Sequence, residues 1–314
     1  MPACPVEQLP DAPRYFPLAK GRYEVKPGLY PLGTDFGQGE RDRQVFHLDS
    51  DFPHYRQVKQ AARQEDLAKY VQTCNLTPPV EQAAVAFIAQ RLPQEYPQWF
   101  RLEDHTAGWR LHCYLTGEVL DFDRDFGCRG TAYLSGLDAL AMQIQEDLCV
   151  VSRTGDRHWV SVIHLCFPNH WAAQDKIGRS FAEIHAPVPG MEPLNRRGAA
   201  LVQAMIAGPP MVRFAWGLST DTELNHHPDR PGGRTFDPQC PCLYLRLERQ
   251  VIWGLPAVEA ALFFIRTYFR DVSCLRQDPM HHTALRSAIQ SMSPAALTYK
   301  GLAPHLREIL AWLG

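Results

Sequence analysis

Residues 243–253 read LYLRLERQVIW, and this alternation decides the fold class. Leu243, Leu245, Leu247, Arg249, Val251 and Trp253 share one face of an extended chain, because successive strand side chains point to opposite sides. The pattern sets the guanidinium of Arg249 in an otherwise apolar row. Upstream, residues 211–219 alternate in the same way, with Val212, Phe214, Trp216 and Leu218 on one face and Arg213 on the other. Downstream, residues 261–269 are apolar on both faces, which predicts a central strand carrying Arg266 and Tyr268. Residues 149–152 and 159–167, joined by a turn over 154–157, read as a hairpin.

Helical patterns flank these strands. One is expected from Ser50 through Tyr70. Another is capped by Thr77, has Pro78 and Pro79 in its first turn and Glu81 near its positive end, and stops at Pro93. Ser135 caps a third, with an apolar stripe of Leu137, Leu140, Ala141, Ile144 and Leu148. Residues 194–206 form a helix ended by Gly208-Pro209-Pro210, and the C-terminus is helical through Leu285, Ile289, Leu306 and Leu310. Residues 1–48 read as an extended arm, 49–314 as a single domain, and 101–133 as loop with short strands. The result is α+β, an antiparallel sheet with helical N-terminal and C-terminal extensions.

Composition excludes several function classes. With 45% hydrophobic and 21% charged residues the chain is an ordinary globular sequence. A net charge of −2 gives no reason to expect nucleic acid or an anionic membrane as partner. No apolar run reaches the ~18 residues of a membrane helix, and the N-terminus lacks a signal-peptide pattern, so a cytoplasmic location is expected. Nine cysteines are an odd number without zinc-type spacing, which favours free thiols. Cys240-Pro241-Cys242, after His226 and His227, is the one local cluster, and it is a poor chelate without further partners. Both His226 and His227 are expected at the surface, as are His281 and His282. No dinucleotide fingerprint, phosphate loop or nucleophile elbow occurs.

Four features can carry chemistry. In CFPNHWAAQDKIGRSFAEIHAPVPG, residues 166–190, His185 precedes two prolines that are expected to hold residues 186 and 188 extended. A histidine fixed in this way suits metal or cofactor ligation, and it equally suits hydrogen bonding within a loop. Arg249 and Arg266, turned inward, each require an anion, either an internal carboxylate or a bound ligand. Glu223, on the polar connection over 220–239, can hold a cationic amine or act as a base, or be an exposed loop acid. Trp171, Trp216, Trp253 and Tyr268 can wall a flat cofactor or simply fill the core.

Taken in order, YPQWF (96–100), QEDL (145–148), CFPNHW (166–171), KIG (176–178), IHAPVPG (184–190), VRFAW (212–216), LRLERQ (245–250), FIRTY (264–268) and YKGL (299–302) resemble the alpha subunit of heme-dependent oxidative N-demethylase. The resemblance runs from about residue 20 to the C-terminus. It implies a PAS-like sheet in residues 49–314 and a heme b whose iron is bound by His185. Lys176, Arg213, Trp216, Arg266 and Tyr268 would lie around the cofactor, with Glu223 and Arg249 acting on the substrate. It also implies a monooxygenase-type oxidation of a small methylated amine such as dimethylamine by oxygen, releasing formaldehyde. Electrons would come from NADPH through separate flavin and iron–sulfur subunits. A non-catalytic heme-based sensor on the same fold is the alternative, and a scaffold that has lost heme is a third. The chain departs from the family pattern at Ala215, Trp253-Gly254 and Arg270-Asp271. If those positions shape the pocket, the amine need not be dimethylamine.

Overall fold

The structure, a computed structural model, describes residues 9–314 apart from 131, 231 and 276. Residues 1–8 of the expected arm, Cys4 among them, lie outside the described residues. Along the chain, strand β1 (Tyr30–Pro31) precedes α1 (Phe52–Tyr70), β2 (Val71–Thr73) and α2 (Pro78–Glu95). A meander follows: β3 (Phe100–His105), β4 (Gly108–Cys113), β5 (Glu118–Phe122) and β6 (Cys128–Arg129). Next come α3 (Gly136–Ala141), the hairpin β7 (Asp147–Thr154) and β8 (Arg157–His164), and three short helices, α4 (Phe181–His185), α5 (Glu192–Asn195) and α6 (Gly198–Ala207). Three long strands, β9 (Met211–Ser219), β10 (Tyr244–Leu255) and β11 (Ala260–Asp271), lead into α7 (Val272–Leu275), α8 (Pro279–Gln290), α9 (Pro294–Tyr299) and α10 (Leu306–Leu313).

The main sheet is antiparallel, in the order β1-β9-β10-β11-β7-β8-β2. Register defines its two faces. Arg249 pairs with Arg266 and Phe214, whereas Glu248 pairs with Thr267 and Ala215. One face therefore carries Leu245, Leu247, Arg249 and Val251, with Phe264, Arg266 and Tyr268 from β11 and Phe214 and Trp216 from β9. It closes on Val45, Phe46, Leu48 and the apolar stripe of α2, and at its other end on α8, α9 and α10. Complete burial of one such side chain, Phe264 for example, contributes ~1.5–3 kcal/mol. The second face carries Arg213, Ala215 and Gly217 from β9, Arg246, Glu248 and Gln250 from β10, and Ile265 and Thr267 from β11. The chain between β8 and β9 covers it: Trp171, Ile177 and Ile184 pack on Cys149, Ile163 and Phe263, and Val202 and Ile206 pack on Ala261.

Several expectations are corrected. Pro93 lies inside α2 and does not stop it. The last turn is held by Glu95, whose carboxylate accepts the amides of Val45 and Phe46 at 2.7 and 3.0 Å. The third helix ends at Ala141, well short of Leu148, because Gln145 and Glu146 turn to accept the amides of Asp49 and His47 at 2.8 Å each. Residues 101–133 hold a second sheet, β3-β4-β5-β6. Its tight corner requires Gly108, where an added Cβ would lie 2.0 Å from the Phe122 carbonyl. His226 and His227 are buried: Arg246 donates to His226 Nδ1 at 3.2 Å, and His226 Nε2 meets Asp221 at 2.8 Å.

Candidate functional site

His185 ends α4, a single turn started by Ser180 and Glu183, whose side chains cap each other's backbone amides. Ala186 is helical (φ −53, ψ −37), so Pro187 follows a helical residue and the expected extended segment is absent. The capping box and the Ala186 N–H bond to the Glu183 carbonyl outweigh the pre-proline bias. Nδ1 of His185 lies 2.8 Å from the Phe181 carbonyl oxygen. A carbonyl only accepts, so Nδ1 carries the proton and Nε2 keeps its lone pair. Burial, with Lys176 and Arg213 as charged neighbours, pushes the ring pKa down to about 4. The imidazole is therefore neutral at pH 7, the state that can ligate a metal. Lys176 is itself fixed, donating to the Ile184 carbonyl at 2.7 Å and lying 5.2 Å from the Trp171 ring centroid.

The second sheet face supplies the other half of the site. Arg213 Nε, Gln250 Oε1 and Thr267 Oγ1 are buried there without a hydrogen-bond partner. Gln250 is directly across from Arg213, and Thr267 directly across from Glu248. Gln250 Nε2 donates to Glu248 Oε2 at 2.9 Å. Glu248 acts electrostatically on Arg213, Tyr299 and Lys300. Lys300 reaches in from the C-terminal segment to the Trp216 carbonyl at 2.7 Å. Arg234 is the next charge out, acting on both Lys300 and Tyr299. Burial pulls the pKa of Arg213, Arg234 and Lys300 down, as expected for cations short of anions. Arg213 and Lys300 thus lie in the field of one carboxylate, with Arg234 beyond Lys300. Unsatisfied buried polar atoms cost roughly 1–3 kcal/mol each, so such a cluster points to a bound ligand that supplies the missing partners.

Of the residues singled out from sequence, His185, Lys176 and Arg213 come together. Arg249, Arg266, Tyr268 and Trp216 belong to the opposite face of the sheet. Arg249 donates to the Gln44 and Val45 carbonyls at 2.6 and 3.3 Å. Arg266 holds Asp49 at 2.7 Å and lies 3.8 Å from the Tyr55 ring centroid. Tyr268 Oη meets His47 Nδ1 at 2.5 Å, and Trp216 packs edge-on to Tyr23. These residues find charged or polar partners inside the protein, with Arg266 Nε alone left without one among the groups just named. Glu223 is exposed, and its carbonyl accepts from Arg246 at 3.2 Å. Sequence reasoning missed Glu248, Gln250, Thr267, Lys300 and Arg234. The signal was present in β10, where Arg246, Glu248 and Gln250 form a polar row on a strand paired along both edges.

Two other places are less suited to cofactor chemistry. Asp147, His164 and Cys166 are buried, with ligand atoms within 4.8 Å of one another, a grouping that can hold a metal ion. Asp147 already accepts the amides of Cys166 and Phe167 at 2.7 and 2.9 Å, and the buried ammonium of Lys59 favours its charged form. A cleft of about 680 Å3 beside the β7–β8 hairpin is lined by Asn75, Arg157, His158, Ser180 and Glu183 and shares no residue with the His185–Glu248 site.

The chain is thus an α+β protein in which an antiparallel sheet, covered on one face, holds a neutral, fixed histidine, buried cations and a carboxylate. Residues 38–310 match the family of the haem-dependent oxidative N-demethylase, alpha subunit-like proteins, and the chain belongs to it. Membership supports heme as cofactor and oxidoreductase chemistry, and the alpha-subunit-like description is consistent with partner subunits. Among the described residues no helix is long and apolar enough to cross a membrane.

Proposed function

We propose that this chain binds heme b and uses oxygen to demethylate a small methylated amine, releasing formaldehyde. Electrons come from NADPH through separate flavin and iron–sulfur subunits. The overall change removes two electrons from an N–CH3 group, giving formaldehyde and the shorter amine. Two further electrons from NADPH complete the reduction of one O2, with one oxygen atom leaving in formaldehyde and the other in water. The order of the sheet supports a PAS-like reading, because β11 returns beside β7 and the helical cover lies between β8 and β9. We take residues 49–314 as the heme-binding unit, with the arm packed beneath its sheet. Cys74, Cys113, Cys149, Cys166, Cys240, Cys242 and Cys274 are free thiols, which suits a cytoplasmic location.

The residues present fit a heme. His185 would hold the iron through Nε2, with Nδ1–H anchored on the Phe181 carbonyl. Arg213, with its orphaned Nε, and Lys176, Arg234 and Lys300 are cations suited to two propionates. When bound, the heme supplies the iron at which oxygen is reduced and the methyl group oxidised. Glu248 holds the ammonium of the amine and accepts its proton, while Gln250 orients that carboxylate. This role was expected of Glu223, but Glu248 lies among the cations and orphaned polar atoms, and Glu223 faces solvent. The observation carrying the proposal is the His185 tautomer beside Arg213. Its test is the Soret band of heme-loaded protein: it should form in the wild type and collapse in His185→Ala. Failure of the wild type to take up heme would overturn the reading.

A further inference from the structure

The site face of β9 has a gap. Gly217 is buried, yet a Cβ built on it meets no heavy atom within 4 Å beyond its chain neighbours. A glycine inside a strand gives up packing, and it often marks close approach by a ligand. Ala215, the next site-face residue, is directly across from Glu248, and Gly217 is directly across from Arg246. The empty, apolar floor therefore adjoins the carboxylate assigned to the ammonium. The orphaned Thr267 Oγ1 lies on the other side of Glu248, on β11.

We infer that Gly217 and Ala215 floor a slot for the amine's second substituent, and that the preferred substrate is an N-methylated amine whose other alkyl group is larger than methyl. This rests on the heme-and-amine reading above. With the ammonium on Glu248, the slot takes the substituent that is not oxidised. One methylene in a fitted apolar pocket changes binding by about tenfold or more, so the slot discriminates measurably between chain lengths.

Isothermal titration calorimetry on the heme-loaded full chain compares dimethylamine with N-methylpropylamine, in the wild type and in Gly217→Ala and Gly217→Val. The Cβ of either variant enters open space, and circular dichroism confirms that each is folded. The wild type should bind N-methylpropylamine at least about tenfold more tightly than dimethylamine. Gly217→Val should erase that preference and Gly217→Ala should reduce it, with heme content equal to that of the wild type in both. Equal affinities in the wild type, or tighter binding of dimethylamine, overturn the slot. So does loss of heme from Gly217→Val, which would mean that the porphyrin itself fills the space. A wild type that takes up no heme fails the parent reading instead, a result separate from any change in amine preference.

Discussion

The His185 ring is steered by the carbonyl of Phe181, one helical turn earlier, at 2.8 Å from Nδ1. The ring of the same residue lies tilted by 40° against the imidazole, at 4.3 Å between centroids. Backbone and side chain of one residue thus fix both the tautomer and the direction of the open Nε2. His185→Ala should reduce bound heme by more than about tenfold, since it removes the only ligand the protein is proposed to give the iron. Heme content by absorption of the purified protein checks this, and retention of wild-type heme would exclude His185 as ligand.

Glu248→Gln keeps the shape and removes the charge. A hydrogen bond to a charged group contributes about 1.5–3 kcal/mol, so amine affinity should fall by about 10–100-fold. Heme content should be unchanged, and Glu223→Gln should leave the titration as it is. An amine-induced spectral change that responds to Glu223 and ignores Glu248 would reverse the assignment.

The Asp49–Arg266 pair is buried on the opposite face, and its removal should act on stability alone. Asp49→Ala leaves a buried guanidinium without its carboxylate, which costs about 3–5 kcal/mol. Urea unfolding should show that loss, while heme affinity in the folded variant stays within about twofold of wild type. Selective loss of heme binding at unchanged stability would return Arg266 to the cofactor site.

His170 supplies a pH dependence. Burial, followed by Arg234 and the stacked His226, pushes its pKa down to about 3 from an ordinary 6.5. Between about 3 and 6.5 the unfolded chain binds the extra proton, so stability rises with pH through that window. The contribution is complete above 6.5 and is lost as pH falls toward 3. His170→Asn tolerates the left-handed backbone at this position (φ 61) and should flatten the slope of unfolding free energy against pH. An unchanged slope would show that His170 is not titrating there.

The sheet was legible because alternation in β9 and β10 survives burial and β11 is a short apolar run, so Arg249 and Arg213 could be placed on opposite faces from sequence alone. The identity of the ligand-bearing face was not legible. An arginine in an apolar row draws attention, but Arg249 is held by the Gln44 and Val45 carbonyls and Arg266 by Asp49, partners from the segment before α1 whose packing no local pattern reveals. The polar row Arg246, Glu248 and Gln250 carries no local sign of burial, because the helical cover over it comes from the separate segment between β8 and β9. His185 was picked out for its prolines, while its actual constraint is a capped helical turn. Lys300 and Arg234 enter from segments far from β10 in the chain, and only the tertiary fold brings Lys300 within reach of Glu248 and Arg234 next to Lys300.

Formaldehyde release tests the central claim most directly. Heme-loaded protein, photochemically reduced in air with an N-methylated amine, should yield formaldehyde together with the shorter amine, and His185→Ala should yield none. A wild type that binds heme and responds spectrally to the amine, yet forms no formaldehyde under these conditions, would contradict the account and identify a sensor on the same fold.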